Sequence, residues 1–198
     1  MKELLIIILG YIIGSIPWAL IIGKLFYGID IREKGSGNLG GTNALRVLGK
    51  IPGISIMILD ALKAFLYMII VNYIDSSLIA YGGLMACIGH CFPIFANFKG
   101  GKAVACSCGY VLGLNLLIEH KTLLTFVVPM LVWLIVLLIT RYMSLASMSG
   151  LLSAAITSLI FFDNKLYALL ILLLCLFVIF MHRSNIVKLK NHKEKKLF

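Results

Sequence analysis

The strongest constraint in this sequence is a series of apolar runs, each about as long as a bilayer is thick, that recurs along the whole chain. Of 198 residues, 61% are hydrophobic and only 13% are charged. A soluble domain of this size could not cover its surface with so little charge. The sequence therefore predicts an all-α integral membrane protein, because a helix satisfies its own backbone polar groups inside lipid. Seven spans are read, at about 4–26, 53–74, 78–97, 103–118, 122–140, 145–162 and 165–181. Pro93 interrupts the third, and the fourth is rich in Gly, Ser and Cys. A five-span arrangement with re-entrant segments around 78–118 is the alternative. Met1 to Ile13, with Lys2 before an apolar core, has the look of a signal peptide. No small-residue cleavage site follows, and the apolar pattern runs on towards Leu25, so this stretch is read as the first span.

Charge orients the spans. With the N-terminus outside, the inner segments hold thirteen of the eighteen Lys and Arg residues. These lie at Arg32 to Lys50, at Lys99 and Lys102, at Arg141, and from Arg183 to Lys196. The outer segments hold only Lys2, Lys121 and Lys165, while Lys24 and Lys63 fall within spans. The positive-inside rule then gives an outside N-terminus and a cytoplasmic C-terminus. The expected organisation is one polytopic membrane domain over 1–198, with a basic cytoplasmic tail at 182–198 that is suited to anionic lipid. No basic helix or aromatic platform accompanies the charge, so nucleic acid is not an expected partner. The five cysteines, Cys87, Cys91, Cys106, Cys108 and Cys175, lie in apolar stretches and read as small hydrophobes. Their spacing with His90 fits no usual zinc pattern, and no motif demands a metal or an organic cofactor.

Three inner connections carry the chemistry. The first is Gly35-Ser36-Gly37-Asn38-Leu39-Gly40-Gly41-Thr42-Asn43, followed by Arg46. Glycines let the backbone aim N–H groups at an anion, while Ser36, Asn38, Thr42 and Asn43 add side-chain donors. Arg46 can fork onto a phosphate. The second runs from Gly89-His90 through Pro93 to Phe98-Lys99-Gly100-Gly101-Lys102. Its two lysines and the N–H groups of Gly100 and Gly101 are expected to converge on one phosphate, although the spacing is not that of a Walker A loop. The third, His182-Arg183-Ser184-Asn185-Ile186, leaves the last span. His182 and Asn185 are three apart and share a face if the helix continues. Arg141 and Ser144 mark another inner junction. Asp60 and Lys63, at i and i+3 inside the second span, are read as a self-neutralising structural pair.

These motifs occur in one order over nearly the whole chain: Gly-Ser-Gly-Asn-Leu-Gly-Gly-Thr-Asn with Arg46, Gly-His-Cys-Phe-Pro to Phe-Lys-Gly-Gly-Lys, Arg-Tyr-Met-Ser-Leu-Ala-Ser, and His-Arg-Ser-Asn-Ile. On them the chain resembles the bacterial acyl-phosphate-dependent glycerol-3-phosphate acyltransferase (PlsY) family. The resemblance implies a multi-pass protein of the bacterial inner membrane with its active site facing the cytoplasm. It implies transfer of a fatty acyl group from acyl phosphate to the 1-hydroxyl of glycerol 3-phosphate, giving lysophosphatidic acid and phosphate. It implies that Ser36, Arg46, Lys102, His182 and Asn185 are catalytic. Asn38, Thr42, Asn43, His90, Lys99, Gly100, Gly101, Arg141 and Ser144 would bind substrate, and Glu194 would be a structural acid. The family usually has Ala at Gly41, Gly at Ala64, Gly at Ala103, Thr at Cys106, and Gly-Thr at His192-Lys193.

Acyl phosphate is a mixed anhydride with a good leaving group, so catalysis needs mainly positioning and charge neutralisation. No Ser-His-Asp arrangement is visible in the sequence. Direct attack by the glycerol hydroxyl is therefore preferred over a Ser36 acyl-enzyme, with the proton passing to the donor phosphate, His90 or His182. A transporter for a phosphorylated anion and a lipid-binding scaffold are the competing classes. The first would place its polar groups at the midplane, and the second leaves the Ser/Asn/Thr-rich loop without a use.

Overall fold

In the computed structural model, which describes residues 1–198, every regular element is helical. The chain begins with α1 (Lys2–Gly14) and α2 (Trp18–Tyr27), separated by Ser15-Ile16-Pro17. Proline has no N–H and breaks the hydrogen-bond ladder. Here the N–H groups of Leu20 and Ile21 both turn to the Pro17 carbonyl, at 2.9 and 3.0 Å, which leaves the Ile16 carbonyl for another partner. Gly28, in the left-handed region at φ 63°, ends α2. Next come α3 (Gly41–Val47), α4 (Lys50–Ile74), α5 (Ile79–Cys91) and α6 (Val104–Leu114). Then follow α7 (Val128–Thr140), α8 (Met143–Phe161), α9 (Lys165–Met181) and α10 (Arg183–Lys190).

Five helical stretches are long and apolar enough to cross a bilayer: Lys2–Tyr27, Lys50–Ile74, Ser76–Ala96, Leu123–Thr140 and Met143–Phe161. A sixth is added if α9 and α10, bent by 58° at His182, count as one. The fourth expected span is a shorter apolar helix, Val104–Glu119, which ends in a π-helical turn over Asn115–Glu119. At the α-helical rise its 16 residues cover about 24 Å, less than the roughly 30 Å of a hydrocarbon core. The predicted segments are mainly helical, but breaks fall at Ser15-Ile16-Pro17 and Phe92-Pro93, and the expected seven spans are not reached.

The chain forms two compact units, Met1–Gly113 and Leu114–Phe198. In the first, α1 lies directly against α5. A Cβ at Gly14 would land on the backbone of Ala86, and one at Gly89 on the Tyr11 carbonyl, so only glycine permits this approach. The Tyr67 hydroxyl donates to the Ile6 carbonyl at 2.5 Å and joins α4 to α1. A buried cluster of Ala19, Leu20, Ile31, Leu39, Ala44, Ile56 and Ala96 lies beneath the polar connections and gives them a fixed base. In the second unit α8 lies between α7 and α9, and small residues such as Ser147, Gly150 and Ala154 line its buried side. The Glu119 carboxylate accepts from the N–H groups of Asp163 and Asn164, at 2.9 and 3.3 Å, just before α9. Thr125 donates to Asn115 Oδ1 at 2.6 Å, pinning one π-helical turn to the next.

Candidate active site

The first polar connection is shaped by two short side chains. Asp30 accepts from Arg32 Nε and a terminal guanidinium nitrogen, at 3.0 and 2.6 Å, and pairs with Lys24 at 3.2 Å. The Arg32 guanidinium holds the Asp30 carboxyl well below the usual carboxylate range. Asn43, 2% exposed, then closes the loop. Its Oδ1 accepts from the Ser36 N–H at 2.8 Å, and its Nδ2 donates to the carbonyls of Lys34 and Ile31 at 3.1 and 3.3 Å. The expected substrate donor Asn43 therefore spends its amide on the loop backbone. Ser36 stands exposed at the loop's outer edge, Thr42 is half-buried, and Arg46 is exposed in the last turn of α3.

The second connection packs onto the first. The Gly100 carbonyl accepts from Asn38 Nδ2 at 3.1 Å and from the Leu39 N–H at 3.4 Å. Motifs 62 residues apart thereby meet in one loop cluster. The expectation that the N–H groups of Gly100 and Gly101 point at a phosphate is corrected. They donate instead to the carbonyls of Cys91 and His90, at 3.1 and 3.0 Å. The glycines have a different use, because a Cβ on Gly101 would land on the His90 ring and one on Gly100 on the His90 carbonyl. Their absent side chains let the turn lie flat on the end of α5. Lys99 is exposed and Lys102 half-buried at its ends.

His90 itself belongs to a buried ion cluster. Its Nδ1 lies 3.0 Å from Lys63 Nζ and 3.3 Å from Asp60 Oδ1, while Lys63 Nζ is 2.9 Å from Asp60 Oδ1. The Lys63 ammonium also donates to the Ile16 carbonyl at 3.0 Å, the one freed by the helix break at Pro17. The expected Asp60–Lys63 pair is present, extended by a histidine and a backbone carbonyl. Sequence reasoning missed the Ile16 carbonyl, and its signal was the Ile-Pro step within an apolar run.

In the second unit the tail folds back. The Glu194 carboxylate accepts from Asn185 Nδ2 at 2.7 Å and from Ser144 Oγ at 3.0 Å, so three expected residues share one contact. The Leu197 N–H donates to the Arg141 carbonyl at 2.8 Å, and the Arg141 guanidinium lies 5.9 Å from the centre of the Phe198 ring. Arg141 caps α7 in the left-handed region at φ 62°. His182, 4% exposed, sits at the bend with Nδ1 2.8 Å from the Val178 carbonyl. The helix does not continue straight through His182, so its relation to Asn185 is set by the 58° bend rather than by helical spacing.

A protein-family model described as glycerol-3-phosphate acyltransferase matches residues 4–192. A glycerol-3-phosphate acyltransferase of Listeria monocytogenes serovar 1/2a is 43% identical over 198 residues, covering 98% of this chain and 96% of the relative. One of Geobacillus kaustophilus is 42% identical over 197 residues, covering 98% and 95%. Among solved structures, the integral membrane glycerol 3-phosphate acyltransferase PlsY in its glycerol 3-phosphate form superposes with a TM-score of 0.88 at 34% identity, covering 99% of this chain and 96% of that one. Its lysophosphatidic acid form gives 0.86 at the same identity, covering 99% and 95%.

Proposed function

We propose, on the premise that this chain belongs to the glycerol-3-phosphate acyltransferase family, that it transfers a fatty acyl group from acyl phosphate to the 1-hydroxyl of sn-glycerol 3-phosphate. The products are lysophosphatidic acid and inorganic phosphate. Relatives matched over nearly their whole length are named glycerol-3-phosphate acyltransferase, and PlsY is known in a glycerol 3-phosphate form and a lysophosphatidic acid form. These are the acceptor and the product of such a reaction. The single observation that carries the reading is the junction at Gly100, where the Ser36–Asn43 loop and the Lys99–Lys102 turn share one carbonyl.

The glycerol C1 oxygen attacks the acyl carbonyl carbon, forming a new C–O bond. The bond from that carbon to the phosphate oxygen breaks, and phosphate leaves with the electron pair. The departing phosphate takes the hydroxyl proton, so the step needs no protein base. What it needs is offset of repulsion between two phosphates, and Arg46, Lys99 and Lys102 of the first unit provide cations for it. Ser36, Asn38 and Thr42 donate hydrogen bonds from the first loop. Within the second unit, Glu194 holds Asn185 and Ser144 in place, and these two with His182 and Arg141 are that unit's candidate functional residues. Asn43, Gly100 and Gly101 shape the loops, and His90, Asp60 and Lys63 support the turn from beneath.

The chain is a multi-pass protein of the bacterial inner membrane, with the N-terminus outside and this site on the cytoplasmic side. The thirteen inner basic residues support that orientation. There a soluble glycerol phosphate meets a donor whose acyl tail stays among membrane lipids. Lys102→Ala tests the assignment: the KM for glycerol 3-phosphate should rise by roughly tenfold or more, as expected for loss of a charged contact. Unchanged kinetics would remove Lys102 from the site.

A further inference from the structure

The end of α5 is capped from two directions. The His90 and Cys91 carbonyls accept from the N–H groups of Gly101 and Gly100, at 3.0 and 3.1 Å. The carbonyl of Phe92, the residue that closes the helix, accepts from the Tyr11 hydroxyl of α1 at 2.6 Å. A helix leaves its last carbonyls without partners inside the helix, so outside donors fix where the chain goes next. Here two donors come from the two-lysine turn itself, and the third comes from another helix. Packing of α1 on α5 puts Tyr11 in place for this. Gly10 lies against Gly82, and one turn further Gly14 lies against Ala86, so the two helices run parallel and in step. Gly89 then lies on the Tyr11 carbonyl, which also accepts from the N–H and Oγ of Ser15, at 2.9 and 2.7 Å. The Tyr11 backbone is thus pressed against the last turn of α5, and its half-buried side chain reaches Phe92.

We propose that Tyr11 is a positioning residue for glycerol 3-phosphate: its hydroxyl fixes the start of the segment that carries Lys99 and Lys102. The inference rests on the function proposed above. Phe92 is the pivot of that segment, because Pro93 follows it and has no N–H with which to continue the helix. Beyond the pivot the chain is wound tightly. The Pro93 carbonyl accepts from the N–H groups of Ala96 and Phe98, at 3.1 and 2.9 Å, and the Ala96 carbonyl accepts from the Lys99 N–H at 3.2 Å. A rotation at Phe92 is therefore carried to Lys99 as the turn moves as one piece. Tyr11 holds the near end of this piece, and the bonds of Gly100 and Gly101 to α5 hold the far end. A tyrosine at a membrane boundary can also serve as a plain anchor, with its hydroxyl in water. This hydroxyl is instead spent on the carbonyl at the pivot, and that direction selects the positioning role.

The test uses the full chain in detergent and the variant Tyr11→Phe, which removes the hydroxyl and keeps the ring. Binding of labelled glycerol 3-phosphate is measured without donor, and turnover is measured with palmitoyl phosphate. The Kd and the KM for glycerol 3-phosphate should each rise by about three- to tenfold, as expected when one hydrogen bond is lost. The kcat and the KM for palmitoyl phosphate should stay within about twofold. The midpoint of thermal unfolding should fall by no more than about 4 °C, which shows that the variant is folded. In a Lys102→Ala background the same substitution should add less than it does alone, because one of the lysines it positions is gone. A lower thermal midpoint with unchanged Kd and KM would make Tyr11 an anchor of α1 and overturn the proposal. Fully additive effects of Tyr11→Phe and Lys102→Ala would overturn it as well. Wild-type protein that binds glycerol 3-phosphate but forms no lysophosphatidic acid would sink the proposed function, while the two Kd values would still decide the role of Tyr11.

Discussion

Ala103 sits at φ 58°, in the left-handed region where a Cβ meets the following carbonyl. Its side chain is fully buried, so the methyl group that replaces the usual glycine acts on the backbone at the start of α6. Ala103→Gly should stabilise the protein by about 0.5–1 kcal/mol, read as a higher midpoint of thermal unfolding in detergent. A lower midpoint would mean that the buried methyl packs better than its strained backbone costs. Asp30 gives a second residue-scale expectation. Its carboxyl titrates well below the ordinary value because Arg32, and after it Lys24, favour the charged form. The stability it contributes is therefore full above about pH 4 and is lost as pH falls through and below that value. Asp30→Asn should flatten the loss of thermal stability in that acid window while leaving the curve near neutrality similar in shape. An unaltered acid limb would remove Asp30 from the account.

The elements were largely legible in the sequence, because length and apolar content are local properties. The apolar segments follow from them, but the number that cross does not: five helical stretches, or six with the bent α9–α10 pair, are long and apolar enough, against the seven expected. The non-local closures were hidden. Nothing in the spacing of Asn43 says that its amide will staple Ser36, Lys34 and Ile31. Nothing in Gly100 and Gly101 says that their N–H groups will face α5 and not a ligand. Glycine-rich loops serve both ends, and only the partner backbone decides which. The turn from Phe98 to Lys102 makes this testable. Gly101→Ala places a methyl on the His90 ring, which Lys63 and Asp60 hold in place. Such overpacking costs about 1–3 kcal/mol and displaces the turn, so the KM for glycerol 3-phosphate should rise. The double variant Gly101→Ala/His90→Ala removes the obstacle and should lose less than the two single effects combined. Additive losses would show that Gly101 and His90 do not act through this contact.

At the scale of the whole molecule, polar groups gather in loops at helix ends, whereas a transport path would spread them along the midplane. The exception is the Asp60–Lys63–His90 cluster. Its charges meet one another and the Ile16 carbonyl, as a structural joint requires. In the second unit the resemblance marked Glu194 as a structural acid, but the fold-back of Glu194, Leu197 and Phe198 onto Ser144 and Arg141 was beyond sequence reasoning. Family membership and the loop junction at Gly100 together make acyl transfer the central claim. The most direct test gives purified protein in lipid an acyl phosphate and labelled glycerol 3-phosphate, with acyl-CoA as the alternative donor. The account predicts labelled lysophosphatidic acid from acyl phosphate and none from acyl-CoA. Absence of product from acyl phosphate, with uptake of glycerol 3-phosphate into proteoliposomes in its place, would contradict it.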